Sequence, residues 1–281
     1  MTNYSISKNK SDITSITIGG FDGMHLAHQE LFKHLDDNGA IVVIQTPYAN
    51  LTPKMNRAKY TNFPLYFYDL QLIKHLSAKE FIKLLKQEFE NLQTIIVGFD
   101  FRFGSNASGT IKTLKELFDG NVIVIDEFSY NDIAVHSRVI RDLISTGQIV
   151  KANELLGKNY VITGLHIKGQ GLGAKQFVPT ININVTDFMY PAAGIYVTYT
   201  YVNNIKYESV TFIGHRVTTD GKFAIETHVL SKELKSINSK INIEFLHKLR
   251  DNKKFEIYDD LKSQIIIDID KCNEYFKILS K

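Results

Sequence analysis

The sequence predicts two domains of different architecture. Residues 1–157 read as a doubly wound, parallel-sheet α/β domain, and residues 158–281 as a small antiparallel β-barrel with a terminal helix. Three observations carry this. Short apolar strands alternate with helical periodicity in the first half. β-branched and aromatic runs follow one another closely in the second. Two glycine-containing turns of the first half stand directly after strands, where open α/β sheets hold their ligands.

Each element follows from a local pattern. Ile13–Ile18 is a short apolar strand that runs into Gly19-Gly20. Met24, Ala27, Leu31 and Leu35 then recur at helical spacing and predict a helix with one apolar stripe. Ala40–Gln45 is apolar almost throughout, as suits a strand buried on both faces of a parallel sheet. Ser77 and Glu80 form a capping-box pattern, opening a helix with Phe81, Leu84, Leu85 and Phe89 as its core face. Thr94–Gly98 and Asn121–Asp126 are further strands. A helical segment carrying Val150, Leu155 and Leu156 ends the first half, with the boundary near Gly157–Tyr160. Beyond it, Tyr160–Ile167, Phe177–Val185, Gly194–Val202, Tyr207–Ile213, Phe223–Leu230 and Ile241–Leu249 read as strands. Asn203-Asn204 and Asp220-Gly221 separate them with residues that tolerate positive φ. A final helix over Ile257–Leu279 is expected to pack against the barrel.

Composition excludes several classes. With 44% apolar and 22% charged residues, the chain is built to bury cores and is not a disordered polymer. A net charge of +3 leaves no footprint for a dedicated nucleic-acid binder. The polar start MTNYSISKNKSD lacks the apolar core of a signal peptide, and no apolar run approaches the roughly 20 residues of a membrane span. A lone Cys272 permits no intrachain disulfide and suits a reducing compartment. The expectation is a cytoplasmic protein with no membrane or nucleic-acid partner, monomeric or weakly self-associating.

The first strand ends in Gly19-Gly20-Phe21-Asp22-Gly23-Met24-His25-Leu26-Ala27-His28. Glycines let backbone approach a phosphate, and a helix start offers N–H groups to an anion. His25 and His28, three apart, share a face and would hydrogen-bond phosphates as charge builds in nucleotidyl transfer. On spacing alone, two surface histidines beside a strand–helix turn is an equal reading. The segment resembles the GxFDGxHxGH signature of nucleotidylyltransferases in the form found in FAD synthetases. Val97-Gly98-Phe99-Asp100-Phe101-Arg102-Phe103-Gly104 resembles the family's VGxDFRFG. His136-Ser137-Arg138-Val139-Ile140-Arg141 resembles its ISSTxIR, and Leu155–Tyr160 its LLGxxY. The resemblance implies that Gly19, Phe21, Asp22 and Gly23 line the nucleotide. It gives His25 and His28 the reacting phosphates, and Ser137 and Arg141 the triphosphate. It assigns Gly98, Asp100, Phe101 and Phe103 to the FMN and nucleotide pocket. Ala27 replaces a glycine of the signature, and Thr46-Pro-Tyr-Ala-Asn50 lacks the FxPHP element.

A second constellation lies in the barrel half. Gly169, Gly171 and Gly173 form a loop that reads either as an anion cradle or as a plain hairpin. Pro179-Thr180-Ile181-Asn182 follows, with Thr180 and Asn182 on one strand face as hard oxygen ligands for Mg²⁺ and phosphate. Glu226 stands among apolar neighbours in Phe223–Leu230; inward alternation would bury it as a general base, and a solvated strand face is the other reading. The block resembles flavokinase, the riboflavin kinase family: glycine loop, PTxN, Gly194-Ile195-Tyr196, Ile213-Gly214, Glu226-Thr-His228, and a closing pattern around Leu249-Arg250, Phe255 and Leu261. It implies Thr180 and Asn182 on Mg²⁺-ATP, Glu226 as base on the ribityl 5′-hydroxyl, and Arg250 near the flavin. Together the two resemblances imply an FMN adenylyltransferase half and a riboflavin kinase half. Riboflavin, FMN and ATP would be substrates, FAD the product, and Mg²⁺ required in both steps.

Overall fold

The computed structural model describes residues 8–168, 178–218, 220–230, 237 and 240–280. They divide into two compact units, Met1–Ser137 and Arg138–Lys281. The division by contacts falls before the 157/158 boundary read from the sequence.

In the first unit, β1 (Ser15–Gly19), β2 (Gly39–Gln45), β3 (Leu65–Asp69), β4 (Thr94–Gly98) and β5 (Asn121–Ile125) form one sheet. Its order is β3-β2-β1-β4-β5, all parallel. Order reverses at β1, so the crevice beyond the carboxyl ends of β1 and β4 is the topological switch point. Both sheet faces are covered. Ala40 and Val42 face α3 (Ala78–Glu88) and α4 (Ile111–Leu117), while Ile41 and Val43 face Phe32 of α1 (Leu26–Phe32). Ser77 caps α3 in the expected reciprocal box with Glu80. The helix expected from Met24 to Leu35 is shorter than its apolar stripe. Met24 and Leu35 are buried but flank α1, because Met24 has φ +46° and cannot continue a helix. The sequence reading missed β3, an edge strand rich in aromatics, along with the short α2 (Leu70–Ile73). It also missed the hairpin of β6 (Ser129–Tyr130) and β7 (Ile133–Ala134), turned by Asn131 and Asp132 at positive φ.

Two helices, α5 (Ser137–Ser145) and α6 (Ile149–Leu156), lead to the barrel. Ile149, Ala152, Leu155 and Leu156 are the buried side of α6, and Val150 is exposed. Gly157 ends the helix in the left-handed conformation. The Asn153 amide then donates to Phe245 O at 2.9 Å and accepts the Tyr160 N–H at 2.8 Å, tying α6 to the barrel.

The barrel is closed in the order β10-β11-β12-β9-β8-β13. Its strands are β8 (Tyr160–Ile167), β9 (Ile181–Asn184), β10 (Gly194–Val202), β11 (Ile205–His215), β12 (Phe223–Val229) and β13 (Lys240–Asp251). Asn203 and Asn204, at φ +53° and +64°, make the β10–β11 turn as expected. Part of the interior is hydroxylic. Thr198, Thr200, Ser209, Thr211 and Thr227 are fully buried and hydrogen-bond one another at 2.7–3.0 Å. Such a network stabilises only when its members are satisfied, as these are. The Thr200–Thr227 bond joins β10 to β12, which are not neighbours in the barrel, so it crosses the interior.

Helix α7 (Tyr258–Leu279) lays Cys272 and Phe276 on Ile195, Val197, Val210 and Leu246. It is fixed by an ion pair: Arg250 Nε and Nη2 donate to buried Asp268 at 2.9 and 2.6 Å, and Nη1 donates to Asp251 O at 2.9 Å. Removing Arg250 would leave a buried carboxylate without its partner cation. Arg250→Met is therefore expected to destabilise the barrel unit by about 3 kcal/mol, read by chemical denaturation. Asp268→Asn should cost less, because the remaining amide oxygen still accepts.

Candidate functional site

Two sites emerge, one in each unit. At the carboxyl end of β1 the backbone turns through Phe21 (φ +46°), Gly23 (φ +88°) and Met24 (φ +46°). Left-handed φ in a residue with a Cβ costs about 1–2 kcal/mol, so this turn is held by its surroundings. A Cβ on Gly19 would sit 3.1 Å from the Phe21 ring, a tight contact that the ring would have to shift to relieve. The buried Asp22 carboxylate accepts N–H bonds from Asn50, Leu51 and Thr52 at 2.9–3.1 Å. Ser137 Oγ donates to Asp22 O at 2.7 Å. From the other side, Arg57 Nε donates to Phe21 O at 3.2 Å.

The turn delivers His25 as the N-cap of α1. Its Nδ1 accepts the His28 N–H at 3.4 Å, so the neutral ring carries its proton on Nε2. The His28 N–H is thus directed to that ring. The two imidazoles stack with centroids 3.5 Å apart and planes at 18°, and Phe21 meets His28 edge-on at 5.1 Å. His25 is 3% exposed, which removes the reading of two surface histidines. After β4, Gly98 O accepts the Phe101 N–H at 3.1 Å, closing a tight turn. Phe103 is buried against Phe81 and stacks on Phe101, while Phe99 and Asp100 are exposed at the carboxyl end of the strand.

In the barrel, Glu226 pairs with Asn182 and Thr227 with Ile181 across β12 and β9. Opposed residues share a face. Thr227 points inward, so the expected inward Glu226 is corrected: it lies on the outer face with Asn182, and Thr227 takes the interior. Glu226 is still sheltered, with its side chain 20% exposed. Burial pushes its carboxyl pKa above the usual range, against the pull of Arg216. Arg216 Nη1 donates to Glu226 at 3.0 Å, and its Nε and Nη2 grip Asp220 at 3.0 Å each. His228 Nδ1 lies 2.7 Å from Pro179 O, holding the entry to β9 beside Thr180.

Comparison with known proteins finds relatives of both halves of the chain. A riboflavin kinase family model matches residues 156–276, and an FAD synthetase model matches residues 46–139. A bifunctional riboflavin kinase/FMN adenylyltransferase of Buchnera aphidicola subsp. Acyrthosiphon pisum is 31% identical over 94% of this chain and 93% of its own. The chain belongs to the bifunctional riboflavin kinase/FMN adenylyltransferase family. The Bacillus subtilis relative is 27% identical over 99% of this chain and 97% of its own. The crystal structure of a protein described as a macrolide-efflux protein from Streptococcus pneumoniae matches with a TM-score of 0.80 at 28% identity, covering 95% of this chain and 97% of that one. Among the described residues, no helix is long and apolar enough to cross a membrane.

Within the adenylyltransferase half, the structure brings Gly19, Phe21, Asp22, Gly23, His25 and His28 together at one turn, to which Ser137 of α5 is bonded. Asp22 and Ser137 spend the groups described here on the turn itself. Arg141 follows one helical turn after Ser137 on α5 and groups by contacts with the barrel unit. In the kinase half, Asn182 stands opposite Glu226 and Thr180 directly precedes β9, whereas Arg250 is turned to Asp268 on α7. Gly169, Gly171 and Gly173 lie outside the described residues. Sequence reasoning missed Arg57, Arg216 and Asp220. Each stands in an irregular segment, where no periodicity marks it.

Proposed function

We propose that this chain converts riboflavin to FMN at the outer face of β9 and β12, and FMN to FAD at the β1 turn. The observation that carries the kinase assignment is the register of Glu226 opposite Asn182, which sets a sheltered carboxylate beside oxygen donors. Glu226 takes the proton of the ribityl 5′-hydroxyl, whose oxygen attacks the γ-phosphorus of ATP as the bond to the departing ADP breaks. Arg216 orients the carboxylate, and His228 orients the strand that bears Thr180.

The donor set fits Mg²⁺. Thr180 and Asn182 offer neutral oxygens from one face, and no cluster of three His, Cys, Asp or Glu occurs among the described residues to form an all-protein cage. Mg²⁺ commonly takes few protein ligands and completes its shell with phosphates and water. When bound there with ATP, it supplies charge neutralisation on the transferring phosphoryl group.

In the other half, a phosphate oxygen of FMN attacks the α-phosphorus of ATP and pyrophosphate leaves. His25 and His28 hydrogen-bond the reacting phosphates as negative charge builds. Ser137 and Arg141 hold the triphosphate. Gly98, Asp100, Phe101 and Phe103 shape the flavin side, with buried Phe103 acting as the wall behind Phe101. A cytoplasmic location accords with the lone Cys272, a buried residue of α7.

A product assay tests the whole reading. Purified protein with riboflavin, ATP and Mg²⁺ is expected to yield FMN and then FAD on a chromatogram. FMN alone, with none converted when supplied directly, would leave the kinase standing and remove the adenylyltransferase. Neither product would remove both.

A further inference from the structure

We propose that Arg57 is a positioning residue for adenylyl transfer, bracing from behind the turn that delivers His25 and His28. The proposal rests on the adenylyltransferase reading of that half. Arg57 is 1% exposed and lies in a 3-10 segment, Lys54–Tyr60, that carries no motif. Nε donates to Phe21 O at 3.2 Å and Nη1 to Lys54 O at 3.3 Å. Nη2 is buried without a hydrogen-bond partner among the described residues, 3.9 Å from the Asp22 carboxylate. Burial pulls the guanidinium pKa down, and Asp22 opposes that pull. A buried cation with one unsatisfied amino group is an expensive way to fill space. Its geometry answers a different demand.

That demand is the backbone of the turn. In a trans peptide the carbonyl and the following N–H point to opposite sides, so fixing one fixes the other. Arg57 holds the Phe21 carbonyl, and Ser137 holds the Asp22 carbonyl at 2.7 Å. Two successive peptide planes are thereby set between the positive-φ residues Phe21 and Met24. The Asp22 side chain ties the same turn to the amides of Asn50, Leu51 and Thr52. His25 follows Met24 directly and caps α1, so rotation of either plane would carry through to the stacked imidazoles. The stretch that lacks the FxPHP pattern thus runs into the segment that supplies this brace.

The test uses Arg57→Met and Arg57→Lys in the full-length protein. FAD formation from FMN and ATP is measured with riboflavin phosphorylation on the same preparation. For Arg57→Met, kcat for FAD formation is expected to fall about 100-fold with KM for FMN and ATP unchanged. Arg57→Lys, which keeps the cation and one donor direction, should recover part of kcat. Riboflavin phosphorylation should stay at the wild-type rate. A wild-type kcat in Arg57→Met, or a loss confined to KM, overturns the proposal. If Arg57→Met does not fold, Arg57→Lys decides alone: reduced kcat at unchanged KM supports the brace, and wild-type kcat overturns it. An unsubstituted protein that makes no FAD from FMN overturns the adenylyltransferase reading, and the proposal with it. That outcome is distinct from an active wild type whose Arg57 variants are equally active.

Discussion

Glu226→Gln is expected to lower FMN formation from riboflavin by about 1,000-fold while FAD formation from supplied FMN stays at the wild-type rate. The substitution keeps the size of the side chain and its place opposite Asn182. It removes the negative charge that pairs with Arg216 and the ability to accept a proton. Arg216 donates to this carboxylate at 3.0 Å and is itself gripped by Asp220, so it is expected to act through Glu226. Arg216→Met should cost about tenfold in kinase kcat, in line with one charge-assisted hydrogen bond. In a Glu226→Gln background the same change should cost nothing further, because the two residues act as a unit. Fully additive losses would show that Arg216 works on something other than the base. Retention of kinase activity by Glu226→Gln would remove Glu226 from the chemistry.

The second large effect is expected at the imidazole pair. His28→Asn should reduce FAD formation from FMN by about 100-fold, with riboflavin phosphorylation untouched. His25→Asn should do the same. Asparagine is a good N-cap, so α1 keeps an acceptor for its first turn and the loss reports on the ring. The rings stack with centroids 3.5 Å apart, and the His28 backbone N–H donates to His25 Nδ1, so the double variant should lose much less than the product of the single losses. Rates within twofold of wild type for either variant would remove that histidine from catalysis. Loss of both activities in a folded variant would dissolve the two-site map.

Much of this site was legible because chemistry there depends on short contiguous stretches. Gly19–His28 is one short stretch of chain, so its residues are near in sequence, although Ser137, Arg57 and the 50–52 amides hold the turn's shape. Alternation predicts one strand face for Thr180 and Asn182; Asn182 lies in β9 and Thr180 directly precedes that strand. The misses have a common cause. Glu226 was expected to face inward because its neighbours are apolar, yet alternation fixes only that Glu226 and Thr227 face opposite ways. Which side is inside was set by the closed barrel and its hydroxyl network. Arg250 stood in a recognisable closing pattern, but its partner Asp268 lies in a different element, on α7. Arg57 and Arg216 meet their partners only through folding.

The sequence by itself determined the strand–helix alternation, the six barrel runs, the Ser77 capping box, the Asn203-Asn204 turn and the two motif sets that identify the family. All of these are local: they depend on periodicity, turn stereochemistry and residues adjacent in the chain. Only the tertiary structure decided that Asp22 is tied to the 50–52 amides, that Arg57 braces a strained turn, that Arg216 orients Glu226 and that Arg250 clamps α7. Each joins a buried or sheltered charge to a partner brought near by the fold. Such a charge can be buried only where the fold supplies compensating groups, and local pattern does not say where those groups will be.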